Sequence, residues 1–184
     1  MSSGYSVRRN SRRIQPRRVI KAQAAQTRRR AMKVCTLVII NDGERVLLGL
    51  KKRGFGEGKW NGFGGKVEAG ETIEDAAARE LKEEAGIIPI DLRKVALFEF
   101  LFDDDTEDTR VHFFCASSFT GEPQETEEMR PRWFLHDEIP FNDMWVDNEH
   151  WFPHFLTGKF FHGTFLFKDT STLIDHKINV IAND

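Results

Sequence analysis

Three glutamates, Glu80, Glu83 and Glu84, lie close together in the run "RELKEE". On a helix, residues three and four positions apart share one face, so these carboxylates would lie within a few ångströms of each other. No lysine or arginine follows four residues after any of them. A solvated charged face is the common explanation, but uncompensated like charges favour a bound cation. Mg²⁺ suits this position, because it takes oxygen ligands and completes its shell with waters and substrate phosphates.

A glycine-rich loop, "RGFGEGKWNGFGGK", precedes the glutamates. Glycine lets backbone amides and carbonyls approach a phosphate or a metal closely. The helix between loop and glutamates is predicted to run from about Thr72 to Ala85. Thr72 and Asp75 have the spacing of a capping box, and Gly86 is placed to end the helix. The loop and the helix therefore predict one site for phosphate and metal.

Strand patterns surround this segment. Asn41 to Glu44 reads as a hairpin turn, with Gly43 at the position that favours a positive φ. Seven apolar or alternating runs predict strands, at residues 34–40, 45–52, 94–102, 109–119, 128–136, 159–167 and 172–181. A short aromatic helix is predicted over residues 147–158. Local strand pairing and two separated helices predict an α/β fold in which a mixed β-sheet is sandwiched between helices.

The composition of the 184 residues, 40% of them hydrophobic, fits one domain with a core. No apolar run approaches the ~20 residues that span a bilayer, so no membrane protein is expected. Cys35 and Cys115 lie in strand-like runs, and we interpret them as reduced, buried thiols of an intracellular protein, with a redox pair as the alternative. The six histidines show no ligand spacing, and we assign none of them to chemistry.

The first 33 residues contain eleven Lys and Arg and no acid. We therefore divide the chain into a basic extension, residues 1–31, and a domain, residues 32–184. Three interpretations of the extension stay open: a mitochondrial targeting peptide, a disordered extension without a separate role, and an arm that binds nucleic acid. Targeting is favoured, and the arm ranks last because Tyr5 alone could stack on bases. We expect a cytoplasmic protein with mitochondrial targeting, and the nucleus is a further alternative.

A longer motif contains the glycines and glutamates. Nine residues at set spacing over twenty-three positions match the Nudix box, namely Gly65, Glu71, Arg79, Glu80, Leu81, Glu83, Glu84, Gly86 and Ile87. This pattern is far more specific than a lone glycine motif. From Met32 to Val180 the chain also resembles the oxidised purine nucleoside triphosphatases of animals, in the segments "LKKRGFG", "WNGFGGKV", "GETIED", "EEMRP" and "IPFNDMW".

The resemblance implies hydrolysis of a nucleoside triphosphate to the monophosphate and pyrophosphate, with Mg²⁺, or Mn²⁺ in its place. The implied metal ligands are Glu80, Glu83, Glu84, Glu128 and the carbonyl of Gly64. Either Glu84 or Glu83 would be the base, and the sequence does not separate a ligand from a base within one cluster. Arg79 resembles the family arginine that pairs with Glu71 to orient the helix, which implies a structural role for both.

The resemblance also implies a substrate pocket. Its positions are Thr36, Lys51, Phe55, Asn61, Phe63, Gly64, Gly65, Lys66, Phe100, Phe102, Met129, Trp145, Asp147, Asn148 and Trp151. Aromatic rings can sandwich a purine, and polar groups can bond its edge. For Phe100 and Phe102, a role in the core stays open, since spacing on a strand fits both.

One segment departs from the animal pattern. This chain has "MWVDN", with Val146 in place of proline and Asn148 in place of a second aspartate. Two adjacent acids can share a proton and exchange donor and acceptor roles, whereas Asn148 cannot switch by protonation. We expect the range of oxidised purines to narrow, with a changed ranking of 8-oxo-dGTP against 2-hydroxy-dATP.

The expected partner is a small-molecule nucleotide bound by a monomer. The alternatives are a Nudix hydrolase of a dinucleoside polyphosphate, a nucleotide sugar or a capped RNA, and a binding module without catalysis. The module is disfavoured because Glu80, Glu83 and Glu84 are all present.

Overall fold

A computed structural model describes residues 32–181. The basic extension, residues 1–31, lies outside this range, and so do the expectations attached to it. Neither helix of the described range has the length and hydrophobicity that a membrane crossing requires.

The two helices form where capping and apolar spacing predict them. Helix α1 spans Ile73–Ala85: the Thr72 hydroxyl accepts the N–H of Asp75 at 3.1 Å, and Gly86 ends the helix in the left-handed region with φ 74°. The N–H of Gly86 closes the last turn on the carbonyl of Lys82 at 2.9 Å. Helix α2 spans Asn148–Leu156 and buries Trp151, Phe152 and Phe155. Pro153 lies inside α2 and does not end it.

Ten strands are present in residues 32–181. Their bounds are β1 Lys33–Asn41, β2 Arg45–Lys51, β3 Trp60–Asn61, β4 Ile88–Pro89, β5 Arg93–Phe102, β6 Thr109–Ala116, β7 Phe119–Thr120, β8 Met129–Leu135, β9 Phe160–Phe167 and β10 Leu173–Ile181. The seven predicted strands are confirmed to within a few residues at their ends. The short strands β3, β4 and β7 were not predicted.

Eight of these described strands form one mixed sheet. Its order is β10-β9-β5-β6-β1-β2-β3, and β8 pairs along the whole of β2, on the edge opposite to β1 and β3. Two neighbouring pairs are parallel, β1 with β6 and β5 with β9, while the other pairs are antiparallel. Strands β4 and β7 form a small separate ladder.

The two faces of the sheet carry separate cores. On one face, Phe98, Phe113 and Phe161 pack with Trp151 and Phe155 of α2. On the other face, Val38, Ile40 and Phe114 pack with Leu81 of α1. The sheet therefore lies between the helices, as predicted.

The glycine-rich loop runs along β1 and fixes the start of α1 beside the sheet. Antiparallel bridges join Cys35 to Lys66 and Val38 to Phe63. Gly64 has φ 155°, and a Cβ placed there would overlap the carbonyl of Thr36. Only glycine allows this close approach of loop to strand. The approach brings the loop and α1 to the same end of the sheet.

Candidate active site

Arg79 connects the loop to the glutamates of α1. Its guanidinium makes a two-point contact with Glu71, at 3.1 Å from Nε and 2.7 Å from Nη2. Its Nη1 lies 2.9 Å from Glu80 Oε1 and 3.2 Å from Glu83 Oε2, and Nη2 also donates to the carbonyl of Lys66. The hydrogen bonds from Arg79 lower the pKa of the Glu71 carboxyl.

Arg79 corrects one step of the sequence reasoning. Only the positions four residues after each glutamate were considered there, and none of them is a lysine or arginine. The cation that neutralises Glu80 and Glu83 stands before them, one residue and four residues away. A bound metal is therefore not the sole source of positive charge beside these carboxylates.

Glu84 is the buried member of the cluster, with 3% of its surface exposed. The N–H of Gly64 donates to Oε2 at 2.8 Å, and the Lys51 ammonium lies 3.1 Å from Oε1. Burial raises the pKa of Glu84, and the Gly64 N–H and Lys51 oppose this rise in part. Glu84 is thus held against Gly64 of the glycine-rich loop.

Lys51 links Glu84 to a second carboxylate. Its ammonium also lies 2.6 Å from Glu128 Oε1. Strands β2 and β8 pair Lys51 with Met129, so Glu128 arrives directly beside Lys51. Burial lowers the pKa of Lys51, but the contacts with Glu128 and Glu84 outweigh it and the pKa is raised overall.

The donors at this end of the molecule fit a hard cation. Within residues 32–181, no three carboxylate, imidazole or thiol groups converge on one point. However, one ammonium contacts both Glu84 and Glu128, and one guanidinium nitrogen contacts both Glu80 and Glu83. Each pair of carboxylates thus already shares a cation, and oxygen donors of this kind are those that Mg²⁺ takes.

A cavity of about 620 Å³ leads from Glu84 and Glu128 towards the start of α2. Thirteen of the predicted substrate-binding residues line it, namely Thr36, Lys51, Phe55, Asn61, Gly64, Gly65, Phe100, Phe102, Met129, Trp145, Asp147, Asn148 and Trp151. The glycine loop, Glu84, Glu128 and the start of α2 therefore share one cavity, whereas Glu80 and Glu83 do not line it.

Buried polar groups lie at the α2 end of the cavity. Asp147 and Asn148 are 5% and 2% exposed. The indole N–H of Trp151 donates to Asp147 Oδ2 at 2.9 Å, and burial raises the pKa of Asp147 to about 6. Asn148 Oδ1 and Thr36 Oγ1 are buried with no hydrogen-bond partner in the described part of the chain. Buried polar atoms of this kind usually have partners, so both are available to a ligand bound in the cavity.

Aromatic residues form the mouth and wall of the cavity. Phe55 is 71% exposed and stacks on Trp145 with ring centroids 4.9 Å apart, while Lys59 lies over the same indole at 5.2 Å. Phe100 stacks on Phe165 at 5.3 Å, so it serves both the core and the cavity wall. Trp151 is 1% exposed and belongs mainly to the core.

Two predicted substrate-binding residues do not line the cavity. Phe63 is fully buried and packs with Leu81 on the α1 face. Lys66 contributes its carbonyl to Arg79 and its backbone to the bridge with Cys35. For their side chains the substrate-binding role stays a prediction.

Sequence reasoning missed other lining residues, among them Leu37, Lys59 and Phe98. Phe98 could have been found, because strand alternation places it on the same face as Phe100 and Phe102. Cys35 also lines the cavity and is half-buried, so the expected burial is correct for Cys115 alone. Both thiols are free.

Comparison with known proteins identifies the family. The model of the NUDIX domain matches residues 29–155. The chain belongs to the Nudix family. This membership confirms the resemblance inferred from the box, the predicted fold and the prediction of a Nudix hydrolase.

Two Nudix relatives carry a more specific name. The chain is 51% identical over 151 residues to the oxidized purine nucleoside triphosphate hydrolase of Danio rerio, covering 82% of this chain and 97% of the relative. It is 51% identical over 146 residues to the protein of the same name from Mus musculus, covering 79% and 94%. The crystal structure of the mutator MutT protein from Bacillus halodurans is similar, with a TM-score of 0.73 and 27% identity over 80% of this chain and 98% of that one.

Proposed function

We propose that this Nudix hydrolase converts oxidised purine nucleoside triphosphates, including 8-oxo-dGTP and 2-hydroxy-dATP, to the monophosphate and pyrophosphate, and so removes them from the nucleotide pool. The observation that carries the proposal is the cavity that joins Glu84 of the Nudix box and Glu128 to the buried Asp147 and Asn148. The two relatives at 51% identity are named oxidized purine nucleoside triphosphate hydrolases, which supports the same class of substrate.

The triphosphate would lie at the glutamate end of the cavity. Glu80, Glu83, Glu84, Glu128 and the carbonyl of Gly64 would hold Mg²⁺, with Mn²⁺ as a substitute. When bound, the metal supplies neutralisation of phosphate charge and a lowered pKa of a water molecule. Lys51 adds a positive charge to the same end. Arg79 and Glu71 would keep the helix in place against the loop.

Glu84 is preferred to Glu83 as the base. A general base works best when its pKa is moved towards the working pH, and burial moves the pKa of Glu84 in that direction. Glu84 is also aligned by the Gly64 N–H, whereas the Glu83 side chain is 59% exposed. Glu84 would take the proton of the attacking water.

The oxidised base would lie at the α2 end. The carboxylate of Asp147 would accept N–H donors of the base, and the amide of Asn148 would offer one donor and one acceptor. Phe55 and Trp145 at the mouth supply faces on which a purine can stack. A ligand here would also give Asn148 Oδ1 and Thr36 Oγ1 the partners that they lack.

The test is pyrophosphate release with Mg²⁺ on 8-oxo-dGTP, 2-hydroxy-dATP, dGTP, dATP and a diadenosine polyphosphate. The control is Glu84→Gln, which keeps the shape of the side chain. For the wild type we expect much faster pyrophosphate release from an oxidised purine than from the other substrates. In Glu84→Gln this release should be lost. Equal rates on all five, or a preference for the diadenosine polyphosphate, would reject the proposed substrate class. No release by the wild type would support a binding module.

The remaining proposals concern assembly and location. We propose a monomer that acts in the cytoplasm and, through residues 1–31, in mitochondria. A fluorescent protein fused after residues 1–31 and the full chain fused at its carboxyl end would test targeting. Fluorescence outside mitochondria in both fusions would reject mitochondrial targeting.

A further inference from the structure

The ammonium of Lys51 lies between two of the proposed metal ligands. It is 3.1 Å from Glu84 Oε1 and 2.6 Å from Glu128 Oε1. Both carboxylates come from other segments, 33 and 77 residues along the chain. The contact therefore depends on the tertiary structure, and one cationic group satisfies both acids.

Burial makes this cation important for the protein. The side chains of Glu84 and Lys51 are 4% and 19% exposed. An unpaired carboxylate in such a place is costly, because removal from water disfavours its charge. Lys51 thus stabilises the charged state of Glu84 without a metal.

Lys51 differs in its attachment from Arg79, the cation that contacts Glu80 and Glu83. Arg79 also holds Glu71 by two bonds and the carbonyl of Lys66 by a third, so it stays anchored if Glu80 and Glu83 turn to another cation. Lys51 has a flexible stem and an ammonium that acts as a point charge. Of the two cations, Lys51 is the one that can leave.

We propose that Lys51 is an internal counter-cation, which neutralises Glu84 and Glu128 in the metal-free protein and is displaced when a divalent cation binds between them. The inference rests on the metal site of the proposed function and does not depend on which nucleotide is hydrolysed. Lys51 also lines the cavity, so its displaced ammonium remains available to the phosphates of a substrate. Replacement of the Lys51 ammonium by the metal would then also free that ammonium to contact the triphosphate.

The exchange predicts a sign that a purely structural ion pair does not. If Lys51 competes with the metal, its removal strengthens metal binding, because two carboxylates lose a competitor and the local charge becomes more negative. If Lys51 only holds the two glutamates in place, its removal loosens them and weakens metal binding. Measured affinity separates the two roles.

The experiment is Mn²⁺ binding to the full chain without nucleotide, followed by the electron paramagnetic resonance signal of free Mn²⁺. For Lys51→Met we expect roughly tenfold tighter binding, a lower Tm without metal and a larger rise of Tm on adding Mn²⁺. Lys51→Arg keeps the charge and forms a stronger fork with carboxylates, so binding should be equal to wild type or weaker. This variant carries the test if the methionine variant does not fold.

The matched control is Lys52→Met. Lys52 is the next residue and also forms an ion pair, at 2.8 Å from Glu125, but outside the cavity. Its removal should change Mn²⁺ affinity by less than about twofold. Unchanged or weaker Mn²⁺ binding in Lys51→Met would overturn the inference, as would tighter binding in Lys51→Arg or absence of Mn²⁺ binding by the wild type. If the Mn²⁺ results are as expected and oxidised purines are not hydrolysed, the proposed substrate fails and the inference stands.

Discussion

Replacement of Asn148 by aspartate should broaden the substrate range. Asn148 is 2% exposed, lines the cavity, and its Oδ1 has no partner among residues 32–181. Its amide cannot change the number of its donors with pH. In Asn148→Asp, two adjacent buried carboxyls would share a proton, and either could then donate or accept.

The size of the effect follows from one buried hydrogen-bonding group. A mispaired group in such a place costs about 1 to 3 kcal/mol, which corresponds to roughly a tenfold to hundredfold difference in kcat/KM. The wild type should therefore prefer one of 8-oxo-dGTP and 2-hydroxy-dATP by about this factor. In Asn148→Asp the ratio should fall to within about threefold, because the shared proton can follow the base.

The assay is kcat/KM for both substrates, by pyrophosphate release at one Mg²⁺ concentration. Asn142→Asp is the control, since it makes the same chemical change at an exposed residue of the turn before α2. Its ratio should equal that of the wild type. Comparable kcat/KM on both substrates in the wild type, unchanged in Asn148→Asp, would refute the reasoning.

Three other changes test the site and the fold. Glu84→Gln should reduce kcat at least about a hundredfold, because it removes the base, with circular dichroism unchanged; a loss below tenfold would contradict the role. Gly64→Ala should lower the free energy of unfolding by more than about 3 kcal/mol, because the added methyl overlaps the Thr36 carbonyl, whereas Gly43→Ala, with open space around it, should cost about 1 kcal/mol; denaturant curves of equal midpoint for the two would be inconsistent with the loop packing. Burial raises the pKa of Asp147 to about 6 in the folded protein, against an ordinary value of 3.8. Ionisation of this buried carboxyl therefore costs no stability below about pH 4, and the cost grows as pH rises from about 4 to 6. Asp147→Asn should therefore gain about 3 kcal/mol of stability relative to wild type across that window, and a difference independent of pH would refute the shift.

Local signals in the sequence predicted the elements that hold the glutamates. The capping pair Thr72 and Asp75 and the stop at Gly86 define α1 closely, because each acts on its neighbours through hydrogen bonds within one turn. Gly43 likewise marks the hairpin, with φ 100°. Such features depend on a few adjacent residues and can be interpreted without the fold.

Pairings between distant strands could not be predicted in this way. The parallel pair β1 and β6 joins Lys33 to Thr109. The parallel pair β5 and β9 joins two strands that are separated along the chain by several elements, helix α2 among them. These pairings depend on which faces pack against each helix, which a local pattern does not specify. The short strands β3, β4 and β7 have too few residues to show an alternation.

In the site, too, local spacing predicted some features, while contacts between distant segments could not be predicted. The spacing of the Nudix box indicated the glutamates, and thirteen predicted pocket residues line one cavity. Lys51 was expected in the pocket, but its contact with Glu84 and Glu128 depends on the register between β2 and β8. Spacing along helix α1 alone could not reveal that Lys51, on strand β2, contacts Glu84.

The most direct test of the proposed function is a competition in one tube. Equal concentrations of 8-oxo-dGTP and dGTP are mixed with the protein and Mg²⁺, and the remaining nucleotides and the products are followed by chromatography. The account predicts that 8-oxo-dGTP is consumed first and gives 8-oxo-dGMP and pyrophosphate. Consumption of both at the same rate, or a diphosphate and phosphate as products, would contradict it.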